Sequence, residues 1–455
     1  MVQLSELALA VSGRLSGVDT GFSSVSTDSR KLAAGELFIA LRGERFDGHE
    51  FIAAVAEAGA AAAVVDAAYQ GPAPLPLVVV DDTRLALGRL AAAWRAKFEI
   101  PVIGVTGSNG KTSVKEMCAA ILRAQALLDS VPEDSVLATV GNLNNDIGLP
   151  LMLLRLKAST RAAVIEMGMN HPGEIAYLSR IARPTVAIVN NAQRAHLEGM
   201  GGLDAIAAEK GEIYEGLDEE GIAIVNADDP HADLWRRANT GRRVLSFGIE
   251  HPADVSARYT LLGLGSQIDL ATPQGKVSFT LQVPGLHNVR NATAAAAATL
   301  AAGVPLQAVQ RGLAGFRGTR GRLQVRRGEA GAMILDDTYN ANPDSVRAGI
   351  DVLAMTPGRK LMVFGDMGEI GDRIAQYHDE IGGYAKSQGI DRLFTLGEYA
   401  GVAARNFGEG GRHFGDLDAL LTALRPQLAP DTVVLVKGSR FMKMERVVDA
   451  IAAQQ

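Results

Sequence analysis

Val102-Ile-Gly-Val-Thr-Gly-Ser-Asn-Gly-Lys-Thr112 is the stretch that decides how this chain folds. An apolar run enters a glycine-rich turn. Lys111 and Thr112 then open a segment whose apolar residues recur at helical spacing: Val114, Met117, Cys118, Ile121 and Leu122. Strand, glycine turn and helix in that order aim backbone N–H groups at one point, at the positive end of a helix, and so form a phosphate cradle. Lys111 supplies a point charge for β- and γ-phosphates, and the Thr112 hydroxyl can ligate Mg2+. The spacing departs from the common phosphate loop. The position five before Gly110 is Val105, and the glycines stand at Gly104 and Gly107. A plain tight turn between a buried strand and a helix is the alternative.

Strands alternate with amphipathic helices on both sides of this loop. From about 99 to 320 the strand candidates are Ala162–Met167, Thr185–Asn190, Ile222–Asn226 and Val244–Phe247. Such alternation predicts a parallel sheet covered by helices. Polar and apolar residues alternate near 255–283, which reads as an antiparallel meander. Residues 1–98 hold short strands at Leu37–Leu41, Ala62–Val65 and Leu77–Val80. From 321 to 455 strands at Met333–Asp336, Leu361–Phe364, Arg392–Thr395 and Val433–Val436 are separated by helices. The expectation is an α/β protein of three domains, divided 1–98, 99–320 and 321–455.

A chain of 455 residues is too long for one core. The net charge of −6 argues against a nucleic-acid surface, and no basic run carries interleaved aromatics. The single cysteine, Cys118, excludes an internal disulfide framework and fits a reducing cytoplasm. No signal-peptide pattern opens the chain, and the alanine-rich segment 292–302 is too short to span a bilayer.

Two further groups lie downstream of the loop. Ala163-Val-Ile-Glu166-Met-Gly168 is an apolar strand that ends in a carboxylate. Ligands gather at the carboxyl ends of parallel strands, so Glu166 should face the same crevice as Gly107–Thr112 and serve as a hard oxygen ligand for Mg2+. Ile188-Val-Asn190-Asn191 is another strand end, followed by His196 in a polar turn and by Lys210 in a helical segment. By default those two are a surface histidine and a solvated helix lysine.

Thr106-Gly-Ser-Asn-Gly-Lys-Thr, Glu166, His196 and Lys210, in this order and spacing, resemble the ATP-dependent Mur ligases of peptidoglycan synthesis, relatives of the folylpolyglutamate synthases. Other strings extend the likeness over essentially the whole chain. They are Ser26-Thr-Asp-Ser-Arg-Lys, Gly35-Glu-Leu-Phe, Asp47-Gly-His, Gly141-Asn-Leu-Asn-Asn-Asp-Ile-Gly-Leu-Pro and Pro172-Gly-Glu-Ile in the first two thirds. Asp336-Asp-Thr-Tyr-Asn-Ala-Asn-Pro-Asp-Ser, Gly365-Asp-Met-Gly-Glu and Val436-Lys-Gly-Ser-Arg lie in the last.

The resemblance implies a small α/β N-terminal domain for a UDP-linked substrate, a central P-loop-type sheet for ATP and a Rossmann-like C-terminal domain for the incoming dipeptide. It implies amide formation through an acyl phosphate, between a UDP-muramoyl tripeptide and D-alanyl-D-alanine, by a cytoplasmic monomer. Thr112 and Glu166 then correspond to a first Mg2+ site, and His196 to a second beside the substrate carboxylate. Lys210 matches a lysine that relatives carry as a carbamate. Gly107, Ser108, Asn109, Gly110, Lys111 and Thr112 correspond to the phosphate cradle. His287, Asn288 and Asn291 correspond to the adenine side, Asp337 to the ribose, and Arg322 to an arginine that reaches the γ-phosphate. Helix capping is the plain alternative for Asn288, and a solvated basic linker for Arg322. Ser26, Asp28, Ser29, Arg30, Arg42, Asp47 and His49 correspond to the UDP grip. Asn142, Asn144 and Asn145 correspond to contacts with the muramoyl-peptide end or to residues that shape the cleft, and Tyr339, Asn340 and Asn342 to the dipeptide site.

Reacting groups on separate domains imply closure on ligand binding. Three alternatives remain: a sister ligase adding another amino acid, a folate-polyglutamating ligase, and a nucleotide-dependent switch without ligase chemistry. The Asp-Asn-Pro-Arg motif of diamino-acid-adding ligases is absent, and Asn340-Ala-Asn-Pro-Asp-Ser stands at a related place.

Overall fold

The computed structural model describes residues 2–44, 46–195 and 200–453. Among them the quoted stretch forms strand Val102–Thr106, a turn, and helix Lys111–Leu128, at the centre of a nine-stranded sheet. Ala162–Glu166 and Val186–Val189 flank that strand in parallel. Val136–Ala138 extends the sheet on one side, and Ile222–Asn226 then Arg243–Gly248 on the other, all parallel. Every residue of the four strands 102–106, 162–166, 186–189 and 222–226 is buried. Near-continuous apolar runs of this kind belong to sheets covered on both faces. Pairing Glu166 with Val105 and Val189 with Thr106 brings the carboxyl ends of three strands to one edge, where the glycine turn begins.

The meander exists, as Val255–Leu261, Ser266–Thr272 and Gly275–Leu281, and its three strands pair antiparallel. It is no separate unit. Val255 pairs with Phe247, so the meander continues the central sheet. Its inward residues Val255, Ala257, Ile268, Leu270, Phe279 and Leu281 share one core with helices Lys111–Leu128 and Leu286–Ala301. The alanine run of the latter helix is buried in that core. No helix among the described residues is long and apolar enough to cross a membrane.

The C-terminal part forms a six-stranded sheet in the order Gln324–Arg327, Met333–Asp337, Thr432–Lys437, Arg359–Gly365, Arg392–Leu396, Gly411–Phe414. Only the first pair is antiparallel. Asp337 is the last residue of its strand rather than the first beyond it. The N-terminal part holds a five-stranded sheet in which Val25–Ser26, Leu37–Ile39, Ala62–Asp66 and Leu77–Val80 run parallel. The molecule is thus an α/β protein of three layered sheets, each with its own core.

Trp235 secures the helix that carries Lys210. It is fully buried on helix Ala232–Ala238, and its Nε1 donates to the Ala207 carbonyl at 2.9 Å. Trp235→Ala removes a large core side chain together with its hydrogen bond to that carbonyl. A loss of about 3–5 kcal/mol is expected, read as a lower urea midpoint at unchanged slope.

Candidate active site

The turn Gly107–Gly110 is held by the neighbouring strand end. Ser108 N–H donates to the Asn191 carbonyl and Asn109 N–H to Asn191 Oδ1, each at 2.9 Å. Asn190 Nδ2 and Asn191 Nδ2 both donate to the Asn109 carbonyl. Ser108 Oγ donates to the Gln193 carbonyl and accepts the Gln193 N–H. Two of the turn's N–H groups therefore already have acceptors. The cradle is left to the start of the helix from Lys111, where N–H groups lack intrahelical partners. Gly110 has φ +79, and a Cβ there would lie 2.4 Å from Asn291 Oδ1 and 2.6 Å from Asn190 Nδ2. Only glycine fits.

Four charged side chains converge here. Lys111 Nζ folds back over its own turn, donating to the Gly107 carbonyl at 2.7 Å. Burial holds its ammonium below the usual lysine value, Arg322 adds to that, and Glu166 and Glu369 oppose it. Lys210, on helix Leu203–Gly211, is wholly buried, and its Nζ donates to Met169 Sδ at 3.8 Å. Burial first, then repulsion from Lys111, pushes its amine well below the ordinary range, against the pull of Glu209. Glu166 is buried, with Oε1 accepting from Asn144 Nδ2 at 2.8 Å and Oε2 without a hydrogen-bond partner among the described residues. Arg322 arrives from the C-terminal part. Its Nη2 donates to Thr112 Oγ1 at 3.3 Å, and its guanidinium stacks 4.1 Å from the Tyr339 ring centroid. His196 lies outside the described residues.

A crevice of about 650 Å3 opens beside the turn, between the central and C-terminal sheets. His287, Asn288, Asn291, Arg322 and Asp337 all line it. Burial pushes the His287 imidazole down to about 4, so it is neutral at physiological pH. Asn288 is not the helix cap: the helix starts at Leu286, and Asn288 Nδ2 donates back to the Pro284 carbonyl. Asp337 Oδ2 accepts from Lys437 Nζ at 2.5 Å, which also donates to the Asn340 carbonyl. Lys437, Asn190, Asn191 and Gln193 were not singled out in sequence as site residues. Lys437 and Asn190 do carry a signal, because each is a polar residue closing an apolar strand.

The two domains touch across the crevice. Asn342 caps helix Pro343–Met355, and its Nδ2 donates to Asn109 Oδ1 at 2.8 Å. Arg194 grips Asp344 through Nε and Nη2 and through its own backbone N–H. Both groups are partly exposed, so the pair contributes about 1 kcal/mol. Arg194→Ala is expected to weaken closure about fivefold. Small-angle scattering of the nucleotide complex should show a larger mean radius, and KM for the nucleotide should rise by a similar factor.

The N-terminal candidates form their own network at the carboxyl edge of their sheet. Arg30 pairs with Asp28, whose carboxyl is drawn down to about 2. Ser26 Oγ donates to the Asp28 carbonyl, and Ser29 lies in the same turn. His49 Nε2 accepts the Asp66 N–H, which leaves Nδ1–H to donate to Asp47 at 2.6 Å. Arg42 pairs with Asp66 at 2.9 Å. Asn142 is exposed, Asn145 Oδ1 accepts the Gly148 N–H, and Asn340 Oδ1 accepts the Ala341 N–H. Tyr339 lies against Arg322 rather than standing free.

No cluster of three or more His, Cys, Asp or Glu is placed to hold a metal among the described residues. A Mg2+ site completed by substrate phosphate oxygens needs only one or two carboxylates. The buried, unpartnered Oε2 of Glu166 fits that requirement.

Three family models match the chain: the Mur ligase family, catalytic domain over residues 22–95, the Mur ligase middle domain over 105–299, and the Mur ligase, glutamate ligase domain over 321–440. The chain is 43% identical to the UDP-N-acetylmuramoyl-tripeptide--D-alanyl-D-alanine ligase of Escherichia coli strain K12, over 99% of this chain and 98% of that one. A crystal structure of MurF from Acinetobacter baumannii superimposes with a TM-score of 0.90 at 38% identity, covering 98% of this chain and 97% of that one. The MurF ligase from Thermotoga maritima in complex with ADP superimposes at 0.82 with 29% identity, covering 94% and 96%.

Proposed function

The chain belongs to the Mur ligase family, and from that premise we propose that it joins D-alanyl-D-alanine to UDP-N-acetylmuramoyl-tripeptide at the expense of ATP. The division 1–98, 99–320 and 321–455 then separates UDP-substrate, ATP and dipeptide domains. One observation carries the reading: Arg322 of the C-terminal part reaches Thr112 at the phosphate turn, where Lys111, Glu166 and Lys210 converge.

A carboxylate is a poor electrophile. Its oxygen attacks the γ-phosphorus of ATP, the bond to the β-phosphate oxygen breaks, and ADP leaves. The dipeptide amine then attacks the acyl carbon, the C–O bond to phosphate breaks, and phosphate departs as the amine loses a proton. Catalysis is largely positioning and charge neutralisation. Lys111 and Arg322 face the transferring group, and the crevice beside His287, Asn288, Asn291 and Asp337 takes adenosine. The turn of Gly107, Ser108, Asn109 and Gly110 shapes the phosphate seat. Thr112 and Glu166 would hold one Mg2+, and His196 with a carbamylated Lys210 a second, supplying positive charge between triphosphate and substrate carboxylate. A neutral buried amine is the form that attacks CO2, forming an N–C bond and releasing a proton. The carbamate turns a misplaced cation site into an anionic oxygen donor.

Ser26, Asp28, Ser29, Arg30, Arg42, Asp47 and His49 suit a UDP group. Asn142 and Asn145 suit the muramoyl peptide. Tyr339, Asn340 and Asn342 border the dipeptide seat. The enzyme acts as a cytoplasmic monomer. Phosphate release from ATP tests the function: turnover with both the UDP-tripeptide and D-alanyl-D-alanine, and little with either alone, is expected. Equal basal hydrolysis under all conditions would support the switch instead.

A further inference from the structure

Asn144 stands in the turn that follows Val136–Ala138, where a substrate contact would be the simple expectation. Its side chain points elsewhere. Nδ2 donates to Glu166 Oε1 at 2.8 Å. Its backbone is pinned on both sides, with its N–H donating to the Asn142 carbonyl at 2.7 Å and its carbonyl accepting the Gly168 N–H at 2.9 Å. Glu166 is fixed from behind as well. Its backbone N–H donates to Thr139 Oγ1 at 2.9 Å. The Thr139 carbonyl in turn accepts from Lys115 Nζ, a buried ammonium at 2.8 Å.

The consequence lies in what remains. One Glu166 oxygen is engaged by an amide, and the other is buried with no hydrogen-bond partner among the described residues. A carboxylate held this way cannot swap its two oxygens freely, so it offers one defined lone-pair direction. Groups that orient a ligating carboxylate commonly set cation affinity.

We infer that Asn144 is a positioning residue that fixes Glu166 with Oε2 turned to the divalent cation, and is not itself a substrate contact. The inference rests on the reading of Glu166 as the cation-holding carboxylate. Gly168 is part of the device. A Cβ there would lie 3.1 Å from the Asn144 carboxamide, so a side chain at 168 makes that carboxamide give by a few tenths of an ångström against its carboxylate.

The test measures affinity for a fluorescent non-hydrolysable ATP analogue during a Mg2+ titration, and again in EDTA, together with affinity for the UDP-tripeptide. Asn144→Leu is expected to raise the Mg2+ concentration for half-maximal effect about ten- to a hundredfold. Affinity in EDTA and affinity for the UDP-tripeptide should stay within about twofold. Gly168→Ala should shift Mg2+ dependence in the same direction, and it carries the test if Asn144→Leu does not fold. Weakened UDP-tripeptide binding with unchanged Mg2+ dependence would overturn the inference and make Asn144 a substrate contact. Glu166→Gln separates the two levels. If it too leaves Mg2+ dependence unmoved, the reading of Glu166 fails. If it shifts that dependence while Asn144→Leu and Gly168→Ala do not, only the inference about Asn144 fails.

Discussion

Lys210→Ala is expected to lower ligase turnover by about a thousandfold, and high concentrations of formate or acetate should recover part of the loss. The reason is the environment of the amine. Lys210 is fully buried beside another lysine, with no carboxylate of the described residues bonded to its nitrogen. As an ammonium it would be repelled by any cation bound nearby. As a carbamate it becomes an oxygen ligand, and a small carboxylate can stand in for the missing one. The unmodified lysine should also leave a thermodynamic mark. Its folded value lies below the ordinary 10.5, so the native state binds fewer protons than the unfolded chain. Stability should then rise with pH between the lowered value and 10.5. Lys210→Met should flatten that slope in CO2-free buffer and stabilise the fold at neutral pH, although the ligase is dead. Wild-type-like turnover for Lys210→Ala would refute the carbamate.

Arg322→Ala should cost kcat about a thousandfold as well, with nucleotide affinity changed only a few-fold. An arginine that meets charge developing on a transferring phosphoryl group acts mainly in the transition state. Here the guanidinium comes from the other domain, touches Thr112, and lies flat on Tyr339. Its Nε is buried without a hydrogen-bond partner among the described residues, as expected of a donor kept for a ligand. Lysine has neither the planar fork nor the stacking face, so Arg322→Lys should recover little. Tyr339→Leu removes the stack, which is worth about 1–2 kcal/mol, and should lower kcat about tenfold. Tyr339→Phe should be nearly silent. Rapid-quench measurement of the first turnover reads these effects before product release. An Arg322→Ala defect confined to nucleotide KM would place the arginine in binding instead.

Much of the fold was legible because buried parallel strands write themselves as apolar runs closed by polar residues. Ala162–Glu166, Ile222–Asn226 and Met333–Asp337 are of that kind. The strands missed have no such pattern. Val136–Ala138 is three residues at a sheet edge, and Gln324–Arg327 is half charged. The fusion of the meander with the central sheet rests on a single short register between Phe247–Gly248 and Val255–Ser256, a contact set by tertiary packing. In the site, Lys111, Thr112 and Glu166 were legible because the strand–turn–helix order places them. The partners of those groups were not. Asn191 on the turn, Tyr339 under Arg322 and Lys437 on Asp337 are decided by residues between 80 and 100 positions apart, or by proximity at a domain junction.

The proposed chemistry depends on where the triphosphate sits. A crystal structure with a non-hydrolysable ATP analogue, Mg2+ and the UDP-tripeptide measures that directly. The nucleotide should lie in the crevice beside His287 and Asn291, with its γ-phosphate within hydrogen-bonding reach of Lys111 and Arg322 and a cation on Glu166. A nucleotide seated anywhere else, or Glu166 and Arg322 turned away from its terminal phosphate, would contradict it.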